Sequence, residues 1–292
     1  MKSWASERLR HRGWEASAFA IYLVVGVLPI AAGLIYALAY SVGLAGLLGK
    51  GFTLAHWTSL AGQADVWLSL LTSALIAAAT MFLTLLAGAC FALGLRTRLR
   101  QGVVAYVVYF PLALPATVAA FFVFQALSDA GLLARVFHAL GFIQRPGEFP
   151  AMIHDFWNLG VIAAFLILSV PYFTLFFSQV YRTEHLEELC RLTLTLGGKR
   201  RDCLRRVIGP IFWRRGRSHI VLWFIAMFGG YEIPLLLGRQ TPQMISVLTM
   251  RKYQMFDLAS KPQAFIAALL YFAIVSLLML WAFRDERLDR DV

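Results

Sequence analysis

The sequence predicts an all-α polytopic membrane protein with six transmembrane helices. Three observations carry that reading. Of 292 residues, 60% are hydrophobic and 15% charged, whereas a water-soluble domain has about a quarter charged residues and at most about half apolar ones. Six apolar runs are each long enough to cross a hydrocarbon core, which takes about 20 residues. The basic residues gather in short segments between those runs.

The first run, Ser17 to Tyr40, follows Arg8, Arg10 and Arg12 and ends near Ala37-Leu38-Ala39, a signal-peptide-like pattern. Its apolar stretch exceeds the roughly 7–15 residues of a signal peptide's hydrophobic region, so it is read as a span. The others are Trp67 to Leu95, Val103 to Leu127, Trp157 to Val180, His219 to Leu237 and Gln263 to Phe283. They leave a tail at 1–16, a 17–283 membrane domain with its longest internal basic loop at 181–218, and a tail at 284–292.

Charge sets the orientation. Twenty of the 27 Lys and Arg residues fall in 1–16, 96–102, 181–218 and 284–292, against seven in the alternate segments. By the excess of basic residues on the cytoplasmic side, both termini are expected in the cytoplasm. The net charge of +11 then reports topology rather than a nucleic-acid-binding face, and the lipid bilayer is the partner. No extramembrane stretch is long enough to bury a useful core, and no GxxxxGK[ST] nucleotide-binding loop is present. Any ATP-driven motor must be a separate polypeptide.

Catalytic and metal chemistry find no support. His11, His56, His138, His154, His185 and His219 lie in or near loops without metal-ligand spacing, and no Gly-x-Ser-x-Gly elbow occurs. No cofactor is expected. Cys90, Cys190 and Cys203 form no closely spaced pair. A disulfide is not expected, since Cys190 and Cys203 fall on the side where thiols stay reduced.

The loop between the fourth and fifth runs reads as two short amphipathic helices. Leu186, Leu189, Thr193 and Leu196 recur at helical spacing, with Glu184, Glu187 and Glu188 in the first turns, where acidic residues favour a helix start. Gly197-Gly198 interrupts the helix without a Cβ penalty. A second helix carries Leu204, Val207 and Ile208 opposite Arg201, Arg205 and Arg206, and Pro210 is expected to end it. Such a knob suits a groove on a partner; a basic loop that only fixes topology at lipid head groups is the alternative.

At these residues the sequence resembles the permease subunits of ATP-binding-cassette importers, whose loop before the fifth span has the pattern EAA-x3-G-x9-I-x-L-P. Gly197 and Pro210 match its Gly and Pro in spacing, and Val207 stands at the Ile. The Glu-Ala-Ala positions hold Arg191, Leu192 and Thr193, and Gly209 stands at the Leu, so the family's glutamate contact does not transfer. Tyr109 to Pro115 and Ser128 to Leu133 look like the family's proline-rich entry and outer turn, and Phe228 to Gly238, Thr241-Pro242-Gln243 and Tyr253 to Asp257 are similar to the branch carrying polyamines, iron(III), thiamine, sulfate or phosphonates.

The resemblance covers roughly residues 65–283 and implies a type I importer fold in the inner membrane. It implies ATP-binding cassette ATPase subunits as partners, a second permease subunit that is a different chain, and an extracytoplasmic solute-binding protein. Glu187, Glu188, Leu189, Thr193, Leu196, Gly197, Gly198, Val207 and Pro210 would then meet the ATPase.

Within the spans, Pro111, Pro115, Pro171 and Pro234 mark either kinked helices around a path or ordinary transmembrane prolines. Glu232 is the clear intramembrane ionisable residue; it would contact solute, pair with Arg239, or sit at the interface. Tyr231, Gln125, Thr117 and Ser169 are further path candidates. Trp67, Trp157, Trp223 and Trp281 read as interface anchors. An ATP-independent secondary transporter, a channel subunit and a membrane scaffold are the rival readings.

Overall fold

The structure, a computed structural model, describes residues 15, 17–46, 51–95 and 103–288. The remainder of the expected tail at 1–16, the expected loop at 96–102 and the last four residues of the expected C-terminal tail lie outside the described residues. In chain order the helices are α1 (Ser17–Ser41), α2 (Ala55–Ala61), α3 (Ala64–Gly94), α4 (Val103–Tyr109), α5 (Ala116–Leu127) and α6 (Leu132–Ala139). There follow α7 (Leu159–Thr183), α8 (Leu186–Thr195), α9 (Gly209–Phe228), α10 (Glu232–Leu237), α11 (Ile245–Gln254) and α12 (Lys261–Leu288). No strand occurs among the described residues.

Five helical stretches are long and apolar enough to cross a bilayer: Ser17–Ser41, Ala64–Gly94, Ala116–Ala139, Leu159–Thr183 and Leu258–Arg284. Two of the six expected spans are not single helices. In Val103 to Leu127, α4 passes into a 3-10 turn at Phe110–Ala113, and Leu114 (ψ 128°) and Pro115 are extended before α5 starts. Proline removes a backbone donor and pushes the preceding residue out of helical geometry. The chain turns again at Ser128–Gly131, between α5 and α6.

The expected span His219 to Leu237 is also interrupted. Helix α9 ends at Phe228, the chain leaves helical form at Gly229-Gly230, and α10 begins at Glu232. Side chains cannot fit there: a Cβ on Gly229 would overlap the Tyr271 hydroxyl, and one on Gly230 would lie 2.7 Å from the Phe165 ring. Arg214, Arg215 and Arg217 occupy the first half of α9, so only its second half is continuously apolar.

The chain forms two compact units. One comprises the residues up to Ala64 with Thr249–Leu270; the other comprises Asp65–Leu248 with the residues from Tyr271 onward. In the first, α1 leaves Phe19, Val25, Ile30 and Ile35 exposed, a surface that lipid solvates and water does not. Its C-terminal end is held by aromatic contacts of Tyr36 and Tyr40 with Phe265 (centroids 5.9 and 4.6 Å). Trp57 of α2 donates to Ser41 Oγ at 3.3 Å. Lys252 Nζ donates to the side-chain oxygens of Gln63 and Gln263, both at 2.9 Å.

In the second unit α3 and α7 cross closely. A Cβ on Gly88 would lie 2.9 Å from Phe173 Cβ, and one turn earlier the Thr84 and Ser169 hydroxyls are 2.7 Å apart. Phe173 and Thr84 have no exposed surface. Between apolar helices in lipid, association rests on close backbone approach and on hydrogen bonds of this kind. Thr84→Val is therefore expected to lower stability by about 0.6–1.7 kcal/mol. Thermal unfolding in detergent checks this; Ser169→Ala should act alike, and the double variant should lose little more than either alone.

Candidate functional site

The loop from Glu184 to Pro210 is a helix, a tight turn and a second helical segment. The first helix, α8, carries Glu187 and Glu188 in its first turn, where carboxylates complement the helix dipole. Glu187 holds Arg191 at 2.9 Å, an i,i+4 pair. Arg191, standing where the importer pattern has glutamate, is thus engaged within its own helix.

The turn is the one Gly-Gly predicted. Gly197 adopts φ +85°; its N–H donates to Leu194 O at 3.1 Å, and the Gly198 N–H donates to Thr193 O at 3.0 Å. This nested pair of bonds closes a helix C-terminus around a left-handed glycine. The next residues run as one turn at Arg200–Asp202, a π-helical stretch at Cys203–Ile208, and α9.

Pro210 does not end this helix, contrary to expectation. It sits in the first turn of α9, and the wider π turn before it absorbs the missing donor. Pro29 follows the π-helical Leu23–Val27 in the same way. The helical path from the loop into α9 is consequently unbroken.

Loop and helices are joined by buried contacts. Leu186, Cys203, Ile208 and Phe212 are buried, and the rings of Phe177 in α7 and Phe212 in α9 stack at 4.4 Å with 7° between planes. Arg215 Nε donates to Glu184 Oε1 at 2.6 Å. Other leucines of the loop are open: Leu189 is 39% exposed, Leu192 57%, Leu204 49% and Leu196 80%. Thr193 and Val207 are half-buried, and Pro210 is exposed.

A disulfide was not expected, yet the structure pairs Cys190 with Cys203 across this turn, with Cα atoms 5.4 Å apart. Thirteen residues of sequence hide a proximity that the Gly-Gly reversal creates. Cys90 is free and exposed on α3.

The path candidates divide. Thr117, Gln125 and Glu232 are exposed and Tyr231 is half-buried. Ser169 is fully buried, its hydroxyl donating to Phe165 O at 2.8 Å while in contact with Thr84; it holds helices together rather than lining a path. Glu232 does not pair with Arg239. Arg239 instead donates through Nε to Pro242 O (3.1 Å), through Nη1 to Phe156 O (3.2 Å) and through Nη2 to Thr72 Oγ1 (3.4 Å). Its guanidinium lies 4.9 Å from the Phe156 ring centroid.

This knot escaped the sequence reading. Asn158 Oδ1 accepts from the Arg239 backbone N–H (3.1 Å), and the His154 ring meets Gly238 O at 2.7 Å. Asp155 caps the start of α7 through the N–H groups of Trp157 and Leu159. Asp155 and Asn158 before an apolar run are helix-start signals, but the tie of Asn158 to Arg239 had none. Two placements also differ from expectation: Trp223 packs inward on Tyr172 (5.3 Å), and His219 lies within α9 against Phe176 (4.4 Å).

No family profile and no curated protein matches this sequence. Solved structures do. A chain of the bacterial alginate ABC transporter in complex with alginate pentasaccharide-bound periplasmic protein matches with TM-score 0.68 and 14% identity, over 95% of this chain and 95% of that one. A chain of a bacterial ABC transporter involved in the import of the acidic polysaccharide alginate matches with TM-score 0.60 and 16% identity, over 97% of this chain and 99% of that one. At such identities the likeness is one of fold, and it extends over nearly the whole chain.

Proposed function

We propose that this chain is a membrane-spanning permease subunit of an ATP-binding-cassette importer. It forms part of the path for a small solute and couples to separate ATPase subunits through the loop around Gly197. Its other partners are a second, different permease chain and an extracytoplasmic solute-binding protein. The assembly lies in the inner membrane, with both termini of this chain and the 181–218 loop in the cytoplasm.

The observation that carries the reading is a loop that is both anchored and apolar outside. It is tied to α7 and α9 through buried Leu186, Ile208 and Phe212 and the Glu184–Arg215 contact. It also leaves Leu189, Leu192, Leu196 and Leu204 exposed, too much apolar surface on a short basic loop to be left in water. A helix-in-groove partner covers such a face. Because the helix continues from the loop into α9, movement of the docked face is transmitted as a lever. The likeness in fold to transporter chains supports the same conclusion.

At the far end of α9, Thr117, Gln125, Tyr231 and Glu232 are the proposed path residues. An exposed carboxylate at the α9–α10 break favours a neutral or cationic solute over a polyanion. Purification of the tagged chain in mild detergent, with identification of what accompanies it, tests the function. A nucleotide-binding subunit and a second polytopic chain are expected. Recovery of the chain alone in several detergents, with ion-driven flux in vesicles, would overturn the reading in favour of a secondary transporter.

A further inference from the structure

We propose that Cys190 and Cys203 are a reversible dithiol–disulfide site in the docking loop, oxidised by a small disulfide of the glutathione class. Three observations converge. The Cα atoms are 5.4 Å apart, within the span a disulfide bridges without backbone movement. The two residues flank the Gly197-Gly198 turn, so a bond between them pins α8 to the π-helical stretch that leads into α9. Both also line an open cleft of about 480 Å³ whose walls include Glu187, Arg191, Arg200 and Tyr181.

The cleft gives the pair access and charge. Cys190 is half-buried and Cys203 buried, so Cys190 is the sulfur an incoming reagent meets first. Arg191, held by Glu187, and Arg200 leave the cleft lining with an excess of positive charge, which attracts an anionic tripeptide. A cytoplasmic loop, as proposed above, keeps these thiols reduced at rest; the bond is then a response to oxidation rather than a permanent staple.

The chemistry balances as two exchanges. The Cys190 thiolate attacks one sulfur of oxidised glutathione; the reagent's S–S bond breaks, a mixed disulfide forms, and one glutathione thiolate leaves. The Cys203 thiolate then attacks the Cys190 sulfur, forming the Cys190–Cys203 bond and releasing the second glutathione thiolate. Two electrons pass from the cysteine pair to the reagent, and the two cysteine protons end on the two glutathione thiols.

Oxidation stiffens the turn that the lever passes through, so coupled transport should differ between the two states. This last step rests on the loop being the coupling element, and the bond itself does not. The test treats the purified full-length chain with oxidised glutathione, alkylates the remaining thiols and counts them by mass spectrometry. The chain has three cysteines; three alkylated thiols are expected after dithiothreitol and one, Cys90, after oxidation, with a Cys190–Cys203 linked peptide. C203S should instead trap a glutathione adduct on Cys190, and C190S should form neither product.

Three alkylated thiols in the oxidised wild-type chain, or links only between chains, would overturn the site. In the reconstituted complex, uptake should change on oxidation and recover with dithiothreitol in wild type but not respond in C190S. If the linked peptide forms while wild-type uptake stays constant, the switch is excluded and the docking role of the loop stands untouched.

Discussion

Replacing Gly198 with leucine is expected to abolish solute uptake while the chain still reaches the membrane at its normal level. A Cβ at Gly198 would lie 2.8 Å from Thr193 O and 2.9 Å from Thr193 Cγ2. The first of these is the carbonyl that the Gly198 N–H bonds at 3.0 Å. Backbone cannot move aside without opening the turn, so the second segment must swing and carry Leu204 out of its place relative to Leu189 and Leu196. Gly197 behaves differently. Its φ of +85° disfavours a side chain, but nothing lies within 4 Å of a Cβ there. Gly197→Val should therefore cost only the left-handed strain of about 1–2 kcal/mol and reduce uptake partially, and Gly197→Asn should be nearly silent, because asparagine tolerates that region. Uptake into proteoliposomes, normalised to chain inserted, gives the order. Normal uptake by Gly198→Leu would remove the loop from the coupling path, and a Gly197→Asn defect equal to it would overturn the steric contrast between the two glycines.

That turn was legible from sequence because two adjacent glycines between amphipathic stretches admit few other readings. Helices α1, α3, α7 and α12 were legible for a comparable reason, since about 20 apolar residues in a row have one economical solution in a bilayer. Interruptions were not. Hydropathy reports side chains, whereas the break at Leu114-Pro115 comes from a missing N–H and a clash, and that at Gly229-Gly230 from the nearness of Tyr271 and Phe165. Pro210 misled in the opposite direction. Proline after a short helix reads as a stop, and only the π turn at Cys203–Ile208, invisible in residue types, lets the helix run on. The Cys190–Cys203 pair and the Arg239 knot share a cause: both join residues far apart in sequence, through a reversal in one case and through three loops in the other. Path residues suffered most, since a hydroxyl in a span is equally suited to a solute and to a neighbouring helix, and Ser169 proved to be of the second kind.

Gly88→Leu is expected to leave little correctly folded subunit. Lipid chains are as apolar as leucine, so α3 gains nothing by burying its side chains against α7 beyond what contact and hydrogen bonding provide. At Gly88 that contact is backbone against backbone: a Cβ would sit 2.9 Å from Phe173 Cβ and 3.3 Å from both Phe173 C and Thr174 N. Phe173 cannot retreat, being fully buried and packed on Phe177 and Trp223 (centroids 5.7 and 6.4 Å). Leucine must then force the helices apart, which also separates Thr84 from Ser169 one turn away. Overpacking of this kind costs about 1–3 kcal/mol in a core able to yield, and this crossing yields less, so the loss should reach the limit of what a marginally stable fold withstands. Pro171 lies inside α7 two residues before Phe173, and a helix already short of a hydrogen bond there is easily bent out of register. Gly94 is the internal control: it is on the same helix with nothing within 4 Å of a Cβ, and Gly94→Leu should behave as wild type. Size-exclusion profiles of tagged chains extracted in mild detergent decide the matter, with Gly88→Leu eluting as aggregate, Gly88→Ala partly so, and Gly94→Leu as a single sharp species. A sharp species for Gly88→Leu would mean that α3 and α7 do not approach as described, and the buried roles of Thr84, Ser169 and Phe173 would fall with that crossing.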